Sequence, residues 1–246
     1  MKYRPKFFKR QATGSAHGAS KVVPILIDLI QPRSVVDVGC GVGTWLKAAK
    51  DLGVQSIYGC DGEYVPSTTL VIEPNCFIAA RLEERLPKLP KSDLLMCLEV
   101  AEHLNRRRAS TFIDEICEIA PVVAFSAAIP YQGGIGHKNE RWQSAWAREF
   151  ARNGFGCFDA IRPHIWADDT IPYWYRQNII LYIQDECGRI DISKLKQWRR
   201  APEQLDMVHP EFLVKIRTQL SIRKLLSDLL PLNFRRHLSG PSQSAL

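Results

Sequence analysis

The sequence has no apolar run long enough to span a bilayer. Its longest early stretch, Val22 to Ile30, is broken by Pro24 and Asp28, whereas a spanning helix needs about 18 or more apolar residues. No small-residue cleavage site follows that stretch, so no secretory leader is expected. There is also no CxxC pair. The seven cysteines, at 40, 60, 76, 97, 117, 157 and 187, are odd in number and scattered, which argues against a structural zinc site and a disulfide framework. They read as reduced thiols, mostly buried, in a cytoplasmic protein. Internal repeats and low-complexity tracts are missing as well. What is present, 46% hydrophobic and 24% charged residues over 246 positions, is ordinary for one globular α/β-sized domain with an appendage.

Acids are scarce at the two ends. Residues 1–32 hold six Lys+Arg and one acid, Asp28; residues 191–246 hold ten and five. Each end is therefore +5, and the remaining 17 basic and 20 acidic residues leave the middle at −3 within a total of +7. A nucleic-acid enzyme is expected to carry a continuous basic face. The acidic middle makes nucleic acid an unfavoured partner and directs attention to the termini.

Residues 1–18 begin with MKYRPKFFKR and read as a loosely attached basic arm. A helix is expected over 20–29, capped by Ser20 with Pro24 in its first turn. Strand and helix patterns then alternate. Strands are expected at 34–38, 55–60, 76–80, 93–100, 121–129, 157–161 and 179–184, and helices at 44–52, 106–119 and 140–153. Alternation of this kind implies a Rossmann-like, doubly wound, mostly parallel sheet of seven strands with helices on both faces. The expected layout is the arm at 1–18, a catalytic domain at 19–190 and a tail at 191–246.

The strongest motif is Val35-Val36-Asp37-Val38-Gly39-Cys40-Gly41-Val42-Gly43-Thr44. A β-branched strand runs into three alternating glycines and then a helix. Such a turn brings backbone N–H groups close to a ligand at a helix N-terminus. Asp61 ends the next strand, 18 residues after Gly43, where a carboxylate can accept ribose hydroxyls. This stretch resembles the first motif and following acidic strand end of class I S-adenosylmethionine-dependent methyltransferases, and the likeness extends over about residues 20–184. It implies S-adenosylmethionine as cofactor. Asp37, Gly39, Gly41 and Gly43 would surround its methionine and ribose part, Asp61 would hold the ribose hydroxyls with Gly62 allowing close approach, and Leu98 and Glu99 would line the far side. Arg81 stands where many members carry an acid for the adenine amino group, leaving Glu83 or a backbone group as the substitute.

Glu99-Val100-Ala101-Glu102-His103 sets two carboxylates three apart with an imidazole beside the second. This ExxEH pattern is similar to the metal-binding stretch of ubiquinone-pathway O-methyltransferases and small-RNA 2′-O-methyltransferases; the RNA enzymes add a histidine after strand five, where this chain has His137. Two readings stand. Glu99, Glu102, His103 and His137 hold a divalent cation (Mg, Mn, Fe or Zn) that lowers the pKa of an acceptor hydroxyl. Alternatively the carboxylates shape the loop, and His103 or His137 acts as general base.

Five of the six tryptophans lie between 142 and 198. Trp142, Trp146, Trp166 and the run Trp174-Tyr175-Arg176-Gln177-Asn178 set flat aromatic faces beside arginine and amides, a combination suited to carbohydrate or nucleotide groups. Each tryptophan taken singly is equally well a core residue. The segment GHKNERW…WYRQN looks like that of a methyltransferase subgroup encoded with bacterial surface-polysaccharide genes. That resemblance implies O-methylation of a sugar in a glycan, or in its lipid- or nucleotide-linked precursor, with Trp142, Arg176 and Asn178 at the acceptor. A small aromatic metabolite, an RNA 2′-hydroxyl, or cofactor binding without catalysis are the alternatives.

Residues 211–230 space Phe212, Leu213, Ile216, Leu220, Leu225 and Leu229 among Lys215, Arg217, Arg223 and Lys224, which is a basic amphipathic helix. A docked or homodimer-forming helix is the simpler reading; a peripheral contact with the inner face of an anionic membrane is the other.

Overall fold

The computed structural model describes residues 5–188 and 191–218, with side chains from Ser15 onward. The compact unit containing the sheet runs to Met207. Its elements in chain order are α1 (Pro5–Ile30), β1 (Ser34–Val38), α2 (Thr44–Asp51), β2 (Ser56–Asp61), β3 (Phe77–Ala79), β4 (Leu94–Leu98), α3 (Ala109–Ile119), β5 (Val122–Ser126), α4 (Gln143–Arg152), β6 (Phe155–Phe158), α5 (Arg162–Ile165), α6 (Tyr173–Asn178), β7 (Ile180–Gln184) and β8 (Arg199–Arg200).

These strands form one sheet in the order β3-β2-β1-β4-β5-β7-β6-β8. It has eight strands, one more than expected. The extra strand is the two-residue β8, which pairs antiparallel with the edge strand β6 through Cys157↔Arg200 and Phe158↔Arg199. Two residues leave no alternation to read, so it was invisible in the pattern. It also carries the sheet past residue 190. The strands from β3 through β5 pair in parallel, and β7 enters antiparallel with Val123 opposite Tyr182. β4 (LLMCL) and β5 (VVAFS) are buried at every position, as central strands covered on both faces must be. Asp93 pins the start of β1 to β4 by accepting from the backbone N–H of Arg33 and Ser34 at 2.7 and 3.0 Å.

Two apolar layers cover the sheet. One packs Val22 and Leu26 of α1 with Trp45 and Leu46 of α2 and with Ile165 and Tyr175. The other packs Phe112 and Ile116 of α3 with Trp146 and Phe150 of α4. Phe150 stacks on Tyr182 of β7 with ring centroids 3.8 Å apart.

At the N-terminus the structure departs from expectation. α1 begins at Pro5 and continues unbroken to Ile30, so the described part of the basic arm, 5–18, belongs to the helix expected only over 20–29. Ser20 lies inside it and donates its hydroxyl back to the His17 carbonyl at 2.9 Å; Pro24 is interior too. Ser, Gly and Pro were read as boundary residues, but packing of the helix's apolar face outweighs their low propensity. In the second compact unit, which starts at Val208, residues 210–218 are helical; the rest of the expected amphipathic helix lies outside the described residues.

Candidate active site

β1 and β4 are neighbours whose chain continuations leave in opposite directions across the sheet. In open α/β sheets a crevice forms beyond the carboxyl ends of the strands at that switch point. The loop 39–43 after β1 and the loop 99–103 after β4 both lie there.

Gly39, Gly41 and Gly43 all have positive φ, at 84°, 54° and 89°. Their surroundings differ. A Cβ on Gly39 would lie 2.3 Å from Val100 Cγ2, so Gly39 is glycine because β4's extension packs against it. A Cβ on Gly41 would meet nothing within 4 Å. Gly41 therefore faces open space, in a cleft lined by Ser15, Asp37, Gly39, Cys40, Gly41, Val42, Thr44, Trp45, Leu98 and Tyr175, with about 460 Å³ of empty volume including its mouth.

Asp37 lies at the cleft floor, 3% exposed, and burial, with Asp61 adding to it, holds its carboxyl well above the usual carboxylate range. Among the described residues no hydrogen bond reaches it. A buried carboxylate left unpaired is costly, and a bound cation such as an ammonium would relieve that cost. Asp61 is different. Its Oδ2 accepts from Gly41 N at 2.7 Å, and its Oδ1 from Gly62 N at 2.6 Å and the Tyr64 hydroxyl at 2.5 Å. Gly62 is glycine because a Cβ would lie 2.1 Å from the Tyr64 ring; the close approach expected there for a ligand is made by Tyr64. Leu98 lines the cleft.

Ser15 and Tyr175 were not anticipated in this cleft. Ser15 Oγ lies 3.4 Å from the Tyr175 hydroxyl, and Tyr175 meets Trp45 edge-to-face at 5.2 Å. The cleft is thus roofed by α1 and α6, from opposite ends of the domain. Only the amphipathic continuation of α1 toward the N-terminus could have signalled it.

Arg81 does not face the cleft. It is exposed and pairs with Glu84 at 3.2 Å. Glu83 binds Lys138 at 2.7 Å and both nitrogens of Asn105.

Past β4, Glu99 adopts φ 57°, a left-handed conformation rare for a residue with a side chain and often stored at functional sites. Its Oε1 accepts from Asn178 Nδ2 and its Oε2 from Gln132 Nε2, both at 3.1 Å. Asn178 also donates to Gln132 Oε1 at 3.0 Å, and Gln177 to the same atom at 3.2 Å. Asn178 therefore helps hold the Glu99 carboxylate. Arg176, expected at the acceptor, is 2% exposed and donates to the Trp166 carbonyl at 3.2 Å; it belongs to the interior. The amides of the RQN segment form a polar network under the site, satisfied internally as a buried network must be.

Glu102, His103 and His137 converge, with one ligand atom from each lying within 4.8 Å of the others. Glu102 is fully buried, and neither carboxylate oxygen has a hydrogen-bond partner. Burial first, then Glu99, push its pKa up. His103 meets His137 edge-to-face at 4.9 Å. Burial, then His137, lower its pKa to about 4, so its imidazole is neutral at physiological pH. His137 is oriented by Glu140, whose Oε1 receives His137 Nδ1 at 2.9 Å and Gly133 N at 2.7 Å while Oε2 receives Tyr131 N at 2.8 Å. A Cβ on Gly134 would lie 2.1 Å from His137 Nε2. Two imidazoles and one orphaned carboxylate fit a divalent transition metal. Glu99, the fourth expected ligand, is instead held by its amides.

Trp142 is 40% exposed at the start of α4, and Tyr131 and Ile135 on the same loop are 82% and 57% exposed. Trp146, one turn on, is buried against Phe125.

No protein-family model matches the chain, and no curated protein matches it in sequence. Solved structures share its architecture. Human N-acetylserotonin methyltransferase in complex with S-adenosylmethionine matches with a TM-score of 0.53 and 16% identity, over 73% of this chain and 55% of that one. This is an S-adenosylmethionine-dependent methyltransferase fold. Magnesium protoporphyrin IX methyltransferase from Synechocystis, with bound S-adenosylhomocysteine, matches at 0.50 and 19% over 72% and 87%. A methyltransferase from Archaeoglobus fulgidus matches at 0.51 and 21% over 61% and 73%. The chain spans little more than half the length of the human enzyme.

Proposed function

We propose that the protein is an S-adenosylmethionine-dependent O-methyltransferase acting on a sugar hydroxyl of a polysaccharide or its precursor. The observation that carries the methyltransferase reading is the cleft itself: Gly41 open to it, and Asp37 buried in it with no protein donor. Asp37 would take the ammonium of the cofactor's methionine part, and the 39–43 loop would let the rest approach the backbone. Asp61 would meet the ribose hydroxyls, which compete with Tyr64 for Oδ1.

Methyl transfer to oxygen is a displacement in which hydroxyl oxygen, methyl carbon and sulfur lie in line, so positioning dominates. An alcohol is a poor nucleophile, and loss of its proton as it attacks lowers the barrier. Glu102, His103 and His137 would hold a divalent cation, which supplies Lewis acidity to the acceptor hydroxyl. His103, neutral but weakly basic at about 4, suits ligation better than proton abstraction, because a general base works best with a pKa near the operating pH. Without a cation, His137, oriented by Glu140, is the candidate base. Glu99 and its amides set the floor between cleft and cluster. The exposed Trp142 and Tyr131, on the loop that carries His137, offer flat faces for a pyranose ring.

Radiolabelled methyl transfer from S-adenosylmethionine, run in parallel on sugar nucleotides, lipid-linked glycans, catechols and RNA, tests the reading. Label on the sugar acceptors is expected. Label only on RNA or catechol overturns the sugar assignment, and S-adenosylmethionine binding weaker than millimolar by calorimetry overturns the enzyme. A metal-free preparation is expected to lose activity and regain it with one cation; an unchanged rate removes the cation from the site.

A further inference from the structure

Arg106, Arg107 and Arg108 follow the Glu102-His103 turn and lead into α3. They do not behave alike. Arg108 is turned inward, 9% exposed, with Nη1 and Nη2 on the two Glu115 oxygens at 3.0 and 2.7 Å and Nη2 also on the Glu84 carbonyl at 2.8 Å. With Arg106, Arg107, Lys138 and Glu83 it lines an open groove of about 1180 Å³ of empty space, open solvent included. Glu83 is the groove's acid, and Lys138 neutralises it at 2.7 Å. Arg106 and Arg107 are exposed, and among the described residues neither has a carboxylate partner. The groove therefore carries two uncompensated guanidinium groups on a chain segment whose domain is otherwise mildly acidic.

The groove shares a wall with the histidine cluster. Lys138 follows His137 directly, and the backbone N–H groups of Lys138 and Asn139 donate to the Glu102 carbonyl at 2.8 and 3.0 Å. Arg141 Nη2 donates to the Arg106 carbonyl at 3.1 Å. These bonds tie the two lining segments together. Adjacent guanidinium forks match the several oxygens and double charge of a phosphoryl group better than one carboxylate.

Resting on the sugar O-methyltransferase reading above, we propose that this groove is an anion subsite that holds a phosphoryl or diphosphoryl group of the acceptor. The acceptor is then a phosphate-linked sugar, and the enzyme acts before that linkage is broken. The same chemistry arises in a nucleotide-linked and in a lipid-linked sugar.

The full chain is titrated with inorganic pyrophosphate by calorimetry at moderate salt. The wild type is expected to bind, and an R106Q/R107Q variant to bind roughly tenfold or more weakly, as loss of two charge-assisted contacts implies. Arg148→Gln, an exposed arginine paired with Glu203, should bind like the wild type. Unchanged S-adenosylmethionine affinity shows that the double variant is folded. Equal pyrophosphate affinity in the double variant and wild type overturns the proposal, as does glucuronate binding as tightly as pyrophosphate. In methyl transfer, the double variant should lose about ten- to hundredfold in kcat/KM on a nucleotide-linked or a lipid-diphosphate-linked sugar, the affected substrate identifying the source, and nothing on a neutral methyl glycoside. Preference for the neutral glycoside, or affinity that grows with the length of an oligoribonucleotide that is then methylated, overturns it. If no sugar is methylated while pyrophosphate binding still depends on both arginines, the sugar reading falls and the anion site stands.

Discussion

At the scale of single residues, Asp37 carries the clearest conflict between folding and function. Its carboxyl is buried, raised in pKa and without a protein donor, a cost tolerated for binding. In the absence of cofactor the native state holds a proton on Asp37 at pH values where the unfolded chain has lost it. Its contribution to stability is therefore fully present below the ordinary carboxylate pKa and is lost as pH rises through the raised folded value. Asp37→Asn should stabilise the cofactor-free protein at pH 7 by about 1–2 kcal/mol, flatten that decline in thermal melts between acid and neutral pH, and weaken S-adenosylmethionine binding at least tenfold. A variant that binds the cofactor normally would remove Asp37 from the site. His103, Glu102 and His137 illustrate the complementary case: residues far apart or poorly placed for one another in the chain meet within 4.8 Å, and the ExxEH spacing and a lone GHKNE stretch were enough to nominate them. Glu99 beside them is held by Asn178 and Gln132, supplied by α6 and the loop after β5.

At the scale of elements, the glycine loop contains two kinds of glycine. Gly39→Ala meets both a positive φ and Val100 at 2.3 Å, and should cost about 2–4 kcal/mol in denaturant unfolding. Gly41→Ala has open space and should cost only about 1 kcal/mol, yet its methyl would project into the cleft and weaken S-adenosylmethionine binding as much as the Gly39 variant or more. Similar binding by Gly41→Ala and wild type would show that the cofactor does not approach the loop there. The loop after β5 follows the same logic. Gly134→Ala places a methyl 2.1 Å from His137 Nε2; on an exposed loop it should leave the melting temperature within about 2 °C while lowering methyl transfer more than tenfold. Loss of fold instead of activity would make Gly134 structural. The motif GxGxG was legible in the sequence, but the roles within it were not, since Val100 becomes Gly39's neighbour only when β4 pairs with β1.

For the whole molecule, a ligand that binds only the folded state stabilises it by mass action. S-adenosylmethionine at a hundred times its Kd should contribute about 2.7 kcal/mol, raising the melting temperature of a domain this size by about 5–10 °C. No shift at millimolar cofactor would contradict the cleft's assignment. The charge of +7 also acquires a finer distribution in the folded protein. The described part of the basic N-terminal segment is the start of α1, which packs on the sheet and contributes Ser15 to the cleft. The groove at Arg106 and Arg107 concentrates positive charge inside a middle region whose total is −3.

By itself the sequence determined the strand–helix alternation, the glycine loop, the acid after the second strand and the candidate histidines. These are local: β-branched runs, glycine turns and short spacings record backbone preferences of neighbouring residues. The tertiary structure decided the rest. It extended α1 across residues that look like breakers, because burial of one helix face outweighs their propensity. It added an eighth strand too short to show a period. It turned Arg176 and the WYRQN amides inward beneath Glu99, set Tyr64 against Asp61, and separated Arg108 from Arg106 and Arg107. Each outcome depends on which side chains meet across the sheet and its loops, a matter of long-range packing that no local pattern encodes.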